Sequence, residues 1–252
     1  MGIITRNPKG LVARFAAIAG FCSRSKRTTD TVLVQDCLLC GQPDSPAILC
    51  RNCADDLPRL PANRCPVCAL PTLNGEHCGR CLAHPPHYDH TLAVFQYEFP
   101  LDKLIQSFKY GHRLSLSAYF GRELLDAAQP VVAGLNLDMI VPLPLHRARL
   151  RERGFNQALE LARPVAAGLG LPLESSTCTR IRATPAQATL PWKERERNIR
   201  GAFACQRDLT NRRVLLIDDV MTTGASLDEC ARTLKLHGAA EVTLLIVART
   251  LP

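Results

Sequence analysis

The sequence predicts an α/β protein: a mainly parallel sheet covered by helices on both faces, preceded by an N-terminal module built on two four-cysteine groups. Three observations carry this reading. Beyond Pro86, short apolar runs alternate with stretches of helical spacing, the pattern of strand–helix–strand units. Eight of the 12 cysteines fall between Cys37 and Cys81, all in Cys-x-x-Cys pairs. The 252 residues are 46% hydrophobic and 21% charged, a globular composition with room for one α/β domain and a small module.

Residues 1–36 carry six basic and two acidic side chains and are read as a basic N-terminal tail. Their best apolar stretch, 11–21, is interrupted by Arg14, too short for a membrane-surface helix and followed by no clean cleavage site. No apolar run in the chain reaches the ~18 residues of a spanning helix, so no membrane insertion is expected. Without a secretory leader the paired cysteines are expected to bind metal rather than form disulfides, and the location to be cytoplasmic.

The cysteine segment, 37–86, repeats itself. Cys37, Cys40, Cys50 and Cys53 recur 28 residues later as Cys65, Cys68, Cys78 and Cys81, with Pro43 and Pro71 at matching places. Zinc prefers four thiolates in a tetrahedron, and a Cys-x-x-Cys turn brings two sulfurs to one ion, so eight cysteines make two structural Zn2+ sites. The repeat favours sequential pairing, and spacing alone leaves interleaved pairing open. His77, His84 and His87 are expected to be solvated. About 17 residues per copy cannot bury a useful core, so the metal must supply the folding free energy. A Pro85-Pro86 hinge is expected to separate this module from a domain at 87–252.

In that domain, 91–99 reads as a strand, and 101–110 and 116–128 as helices. Residues 139–141 form a short buried strand ending in Pro142-Leu-Pro144. Helical spacing returns over 155–169, with a kink expected at Pro164. A wholly apolar strand at 214–217, a helix at 227–236 closed by Gly238 and a last strand at 242–247 complete the pattern.

The strand at 214–217 delivers two adjacent carboxylates, Asp218 and Asp219, to the sheet edge where open α/β folds bind ligands. A turn of hydroxyl and small residues, Thr222-Thr223-Gly224-Ala225-Ser226, then opens a helix whose unpaired N–H groups favour an anion. Ser226-x-x-Glu229 by itself is an ordinary capping box, which would leave the paired Asp unexplained. A Walker loop is excluded, since no Gly-Lys-Ser/Thr follows.

Asp218-Asp219 with 222–226 resembles the phosphoribosyl-pyrophosphate (PRPP) loop of type I phosphoribosyltransferases. Further segments are similar to the ComF family: the two four-cysteine repeats, Phe108-Lys109-Tyr110, Pro142-Leu-Pro144, Arg151-x-Arg153-Gly154-Phe155-Asn156-Gln157, Thr184-x-x-Gln187 and Arg197-Asn198. The resemblance runs from about Cys37 to Arg249. It implies a type I phosphoribosyltransferase-like domain behind a double zinc ribbon. Asp218 and Asp219 would hold the ribose hydroxyls, and Thr222, Thr223, Gly224, Ala225 and Ser226 the 5-phosphate, with Mg2+ accompanying PRPP. Residues 142–153 would stand where pyrophosphate is met, and 181–203, with Trp192, would form a flap.

Two functions follow. The ComF resemblance implies a PRPP-binding protein of DNA uptake or utilisation that binds single-stranded DNA and works with competence or DNA-processing proteins. The net charge of +8 suits anionic partners. Residues 145–200 hold eleven Lys/Arg against five Asp/Glu, and Arg147, Arg149, Arg151 and Arg153 suit pyrophosphate or a DNA backbone equally. The alternative is an active phosphoribosyltransferase of nucleotide metabolism, acting on a nitrogen acceptor without a DNA role. No side chain is assigned as its general base, and no acceptor pocket is legible.

Overall fold

A computed structural model describes residues 35–111, 113–183 and 198–251, which divide into two compact units after Leu57. The basic tail up to residue 34 lies outside the described residues, as do Thr184, Gln187, Trp192 and Arg197.

The first unit holds Cys37, Cys40, Cys50 and Cys53. Its turn is closed by the Cys37 amide donating to the Gln42 carbonyl at 2.9 Å and the Gly41 amide to the Cys37 carbonyl at 2.8 Å, and helix α1 spans Arg51–Asp55. The second unit opens with the same local structure 28 residues on. The Cys65 amide donates to the Leu70 carbonyl at 2.8 Å, the Ala69 amide to the Cys65 carbonyl at 2.9 Å, and α2 spans Gly79–Ala83. Gly41 and Ala69, at equivalent places, both adopt positive φ, 71° and 58°.

The two copies differ in what surrounds them. The compact units divide between the copies, and the second copy belongs to the unit that holds the sheet. Main-chain bonding explains this. Strand β1 (His90–Gln96) lies at the edge of the sheet, and the chain from Pro58 to Val67 covers its open side. The Gln96 amide donates to the Pro58 carbonyl, the Leu60 amide to Val94, and the Thr91 amide to Pro66, at 2.7, 3.0 and 3.0 Å. Arg64 adds a 3.1 Å bond to the Ala93 carbonyl.

Helices α3 (Leu101–Tyr110) and α4 (Ser115–Leu135) follow, then β2 (Met139–Pro142), α5 (Arg147–Arg153) and α6 (Gln157–Leu169). Strands β3 (Cys178–Arg180) and β4 (Phe203–Cys205) pair antiparallel, and β5 (Arg213–Met221), α7 (Ala225–Leu236) and β6 (Glu241–Arg249) complete the chain. The main sheet has the order β1-β6-β5-β2 and is parallel throughout, as expected. Val214 and Leu216 of β5 share a buried cluster with Leu227, Cys230, Ala231 and Leu234 of α7. The alternate residues, Leu215 and Ile217, are equally buried, and α3, α4 and α6 bury Leu104, Phe108, Phe120, Leu124, Leu161 and Val165.

Element boundaries shift where local chemistry overrides the pattern. Helix α4 runs through Pro130 and ends at Asn136 in the left-handed region. The arginine-rich segment forms the helix α5, started by the His146 ring accepting from the Ala148 amide and stopped by Gly154 at φ 83°. Strand β1 stops at Gln96, short of residue 99. Helix α6 carries Pro164 inside it, capped by the Asn156 side chain.

Packing of α4 on α6 depends on Gly121, where an added Cβ would lie 2.2 Å from Pro164 Cγ. Gly134, in the same helix, has open space around it. Gly121→Ala is expected to lower stability by about 1–3 kcal/mol, because a rigid ring cannot yield. Gly134→Ala should instead raise it by up to about 1 kcal/mol through the lower entropy of the unfolded chain. Thermal denaturation of both variants checks the pair, and a gain at Gly121 would refute the close approach.

Candidate functional site

Strand β5 is apolar from Val214 to Ile217, so it lies in the sheet interior with β2 and β6 on either side. β2 ends opposite Ile217, while β6 continues opposite Asp218, Val220 and Met221. The strand therefore runs past the end of its neighbour, and Asp218 and Asp219 stand where the sheet opens. The chain then turns at Gly224, whose φ of 82° favours glycine and where a Cβ would lie 2.7 Å from Met221 Cε, and enters α7. The alternative reading of Ser226-x-x-Glu229, a capping box, does not form, since the N-cap is Gly224. Thr223 Oγ1 accepts from the Ala225 amide at 3.2 Å, while Glu229 accepts from the Gly201 amide and pairs with Arg232, both at 2.7 Å.

A cavity of about 200 Å3 is lined by Asp218, Asp219 and the whole of 222–226. The structure thus brings together every residue expected for the PRPP loop. Of the four arginines, it brings only Arg153 to this cavity. Arg149 pairs with Glu152 on α5 at 2.9 Å, and Arg147 and Arg151 are exposed. Arg153 lies 5.0 Å over the Tyr110 ring and donates to its hydroxyl at 3.3 Å.

Three polar lining residues, Lys109, Gln157 and Arg180, were missing from the site read in the sequence. Lys109 Nζ lies 2.9 Å from Asp219 Oδ2. Burial alone would lower the Lys109 ammonium pKa, but the charges of Asp219 and Asp218 outweigh it and hold the pKa above its ordinary value. Arg180 lines the cavity from β3, and burial lowers its pKa despite the Asp218 charge. Gln157 is 2% exposed, and its Nε2 has no acceptor among the described residues. Lys109 and Gln157 stood inside recognised motifs, whereas Arg180 carried no signal, being 38 residues from the Asp pair in sequence.

Asp218 is pushed up to about 7, first by burial and then by the Asp219 charge, with Lys109 and Arg180 opposing. Its folded state thus keeps a proton that the unfolded chain, with an ordinary carboxyl near 4, releases.

The two four-cysteine groups pair sequentially. In each, the four sulfurs lie within 4.8 Å of one another, with Cys40–Cys50 at 3.7 Å and Cys68–Cys78 at 3.5 Å. A tetrahedron of Zn–S bonds of about 2.3 Å sets sulfurs roughly 3.8 Å apart, so both groups fit zinc. Burial raises the Cys37 thiol pKa, but the amides of Cys40, Cys50 and Leu39 bring it down to about 6, and similar donors bring Cys65 to about 7. Burial and the neighbouring sulfurs push Cys53 and Cys81 up instead. Such a cluster is stable as four thiolates only around a cation. His77 and His84 are exposed, and His87 lies 3.1 Å from Asp228.

Residues 28–82 match the double zinc ribbon domain and 156–250 the phosphoribosyl transferase domain. These matches, with the parallel sheet and the paired cysteine groups, define a phosphoribosyltransferase-like protein carrying structural zinc ribbons. The DNA utilization protein YhgH of Salmonella typhimurium is 36% identical over 85% of this chain and 97% of its own length. YhgH of Escherichia coli is 37% identical over 74% of this chain and 84% of its own. Competence protein F of Haemophilus influenzae is 31% identical over 80% and 90%. The chain belongs to the ComF family of these proteins.

The Asp218 proton gives a pH test. Stability should fall as pH rises through the window from about 4 to about 7 and lose nothing further from this group above it. Asp218→Asn removes the proton linkage, so its gain in Tm over the parent should grow from pH 4 to pH 7 and then level off. A gain independent of pH would place an ordinary carboxylate at 218.

Proposed function

We propose that the cavity at the end of β5 binds PRPP with Mg2+, and that the protein couples this site to handling of single-stranded DNA in DNA utilisation. The observation that carries the first part is the single cavity lined by both carboxylates and the whole of 222–226. Carboxylates accept from the two ribose hydroxyls, while the amides opening α7 and the Thr and Ser hydroxyls donate to the 5-phosphate. Gln157 Nε2, Arg153 and Arg180 line the same cavity and would donate to the pyrophosphate oxygens. Mg2+ would supply charge neutralisation on that pyrophosphate. The negative charge of the ligand also suits a pocket holding Lys109, Arg153 and Arg180.

The second part rests on the relatives, named for DNA utilization and competence, and on α5, where Arg147 and Arg151 are exposed. A helix presenting such cations offers phosphate contacts without base readout, so binding is expected to depend on salt more than on sequence. A site next to a PRPP pocket would place the two ligands within reach of one another. We assign the reaction no acceptor and no general base, and place the protein in the cytoplasm.

Calorimetric titration with PRPP, with and without Mg2+, tests the first part. Replacing both Asp218 and Asp219 with Asn should weaken binding roughly tenfold or more for each hydrogen bond lost, at about 1.5–3 kcal/mol each. No binding to the intact protein with Mg2+ present would leave only the fold.

For DNA, replacing Arg147 and Arg151 with Ala should weaken single-stranded DNA binding about equally across sequences and flatten its salt dependence. Unchanged affinity and slope would move the contact away from α5.

A further inference from the structure

The loop that opens α7 is held from behind by two guanidinium groups, and both are tied to the second cysteine group. Arg249, at the end of β6, is 2% exposed. Its Nη1 donates to the carbonyls of Met221 and Thr250 at 2.9 Å each and also to that of Thr222. Its Nε donates to the carbonyl of Cys68 at 3.0 Å. Arg80 lies inside the Cys78-x-x-Cys81 turn, and its Nη2 donates to the Thr223 carbonyl at 3.3 Å. Three consecutive carbonyls, 221 to 223, are thus engaged by groups fixed to the zinc ribbon.

A trans peptide unit sets its C=O and N–H on opposite sides. Holding the carbonyls of Met221, Thr222 and Thr223 toward the guanidinium groups therefore turns the amides of Thr222, Thr223 and Gly224 away from them. Among the described residues none of these three amides has a protein acceptor. Successive amides aimed to one side make an anion-binding concavity, and a buried, multiply bonded arginine is a rigid way to keep them there.

We infer that Arg249 and Arg80 are positioning residues for the phosphate loop, and that through them the second zinc site, Cys65, Cys68, Cys78 and Cys81, sets the loop's readiness to bind an anion. The inference rests on the PRPP reading for its ligand, and on geometry alone for the loop's order. Zinc holds the Cys68 carbonyl and the Arg80 turn in place. Without it the guanidinium groups lose their anchor and the loop amides lose their common direction. The first cysteine group, in the separate unit, is not part of this device.

The test compares zinc-loaded wild-type protein with Arg80→Ala, Arg249→Lys, Cys78→Ser and Cys40→Ser, each checked for zinc content and Tm. Backbone 15N order parameters at Thr222, Thr223 and Gly224 report loop order without ligand. Calorimetry with Mg2+ and PRPP reports affinity. Arg80 is exposed, so its removal should leave Tm close to the parent while order parameters fall and affinity drops roughly fivefold or more. Cys78→Ser and Arg249→Lys should do the same more strongly, and Cys40→Ser should lose one zinc and change neither readout. Unchanged order parameters in a folded Arg80→Ala protein would overturn the inference, even should Cys78→Ser or Arg249→Lys fail to fold. If the wild type binds no PRPP, the ligand reading fails, and the order parameters still decide whether the ribbon positions the loop.

Discussion

β5 is longer than the strand beside it, and the candidate site depends on that difference. Where β2 ends opposite Ile217, the backbone of β5 loses a neighbour on one side while β6 continues to hold it on the other. The two carboxylates are carried by a rigid element yet face an opening, a combination that neither a loop nor the centre of the sheet can provide. The apolar run 214–217 anchors this arrangement, because its burial on both faces fixes the register and so the facing of every later residue.

Charge then shapes what the opening can accept. Asp219 is buried and paired with Lys109, and Asp218 beside it is held in its protonated form to near neutrality by burial and by its neighbour's charge. Arg153 and Arg180 join Lys109 and the two carboxylates in lining one small pocket. The same low-dielectric setting raises the value of each pairing and the cost of leaving one unmade.

The two cysteine repeats show how little local structure says about embedding. Their turns, hydrogen bonds and short helices match at an offset of 28 residues, as identical ligand spacing around one kind of ion requires. Yet the second copy lies in the sheet's own compact unit, where Thr91, Arg64 and Arg249 bond to its backbone or extend from it to the sheet. Those bonds come from residues as far as 181 positions away in the chain.

Patterns spanning a few residues were legible in the sequence. Short apolar runs located the strands of the parallel sheet, cysteine spacing located both four-cysteine groups, and the Asp218-Asp219 turn located the cavity at the end of β5, because each is determined by bonding or burial between near neighbours. The tertiary structure alone decided that α5 is a helix facing the cavity with one arginine of four, that Lys109, Gln157 and Arg180 line it, and that Arg249 holds the loop's carbonyls. Each of those facts depends on where distant strands and helices pack, and no spacing along the chain encodes it.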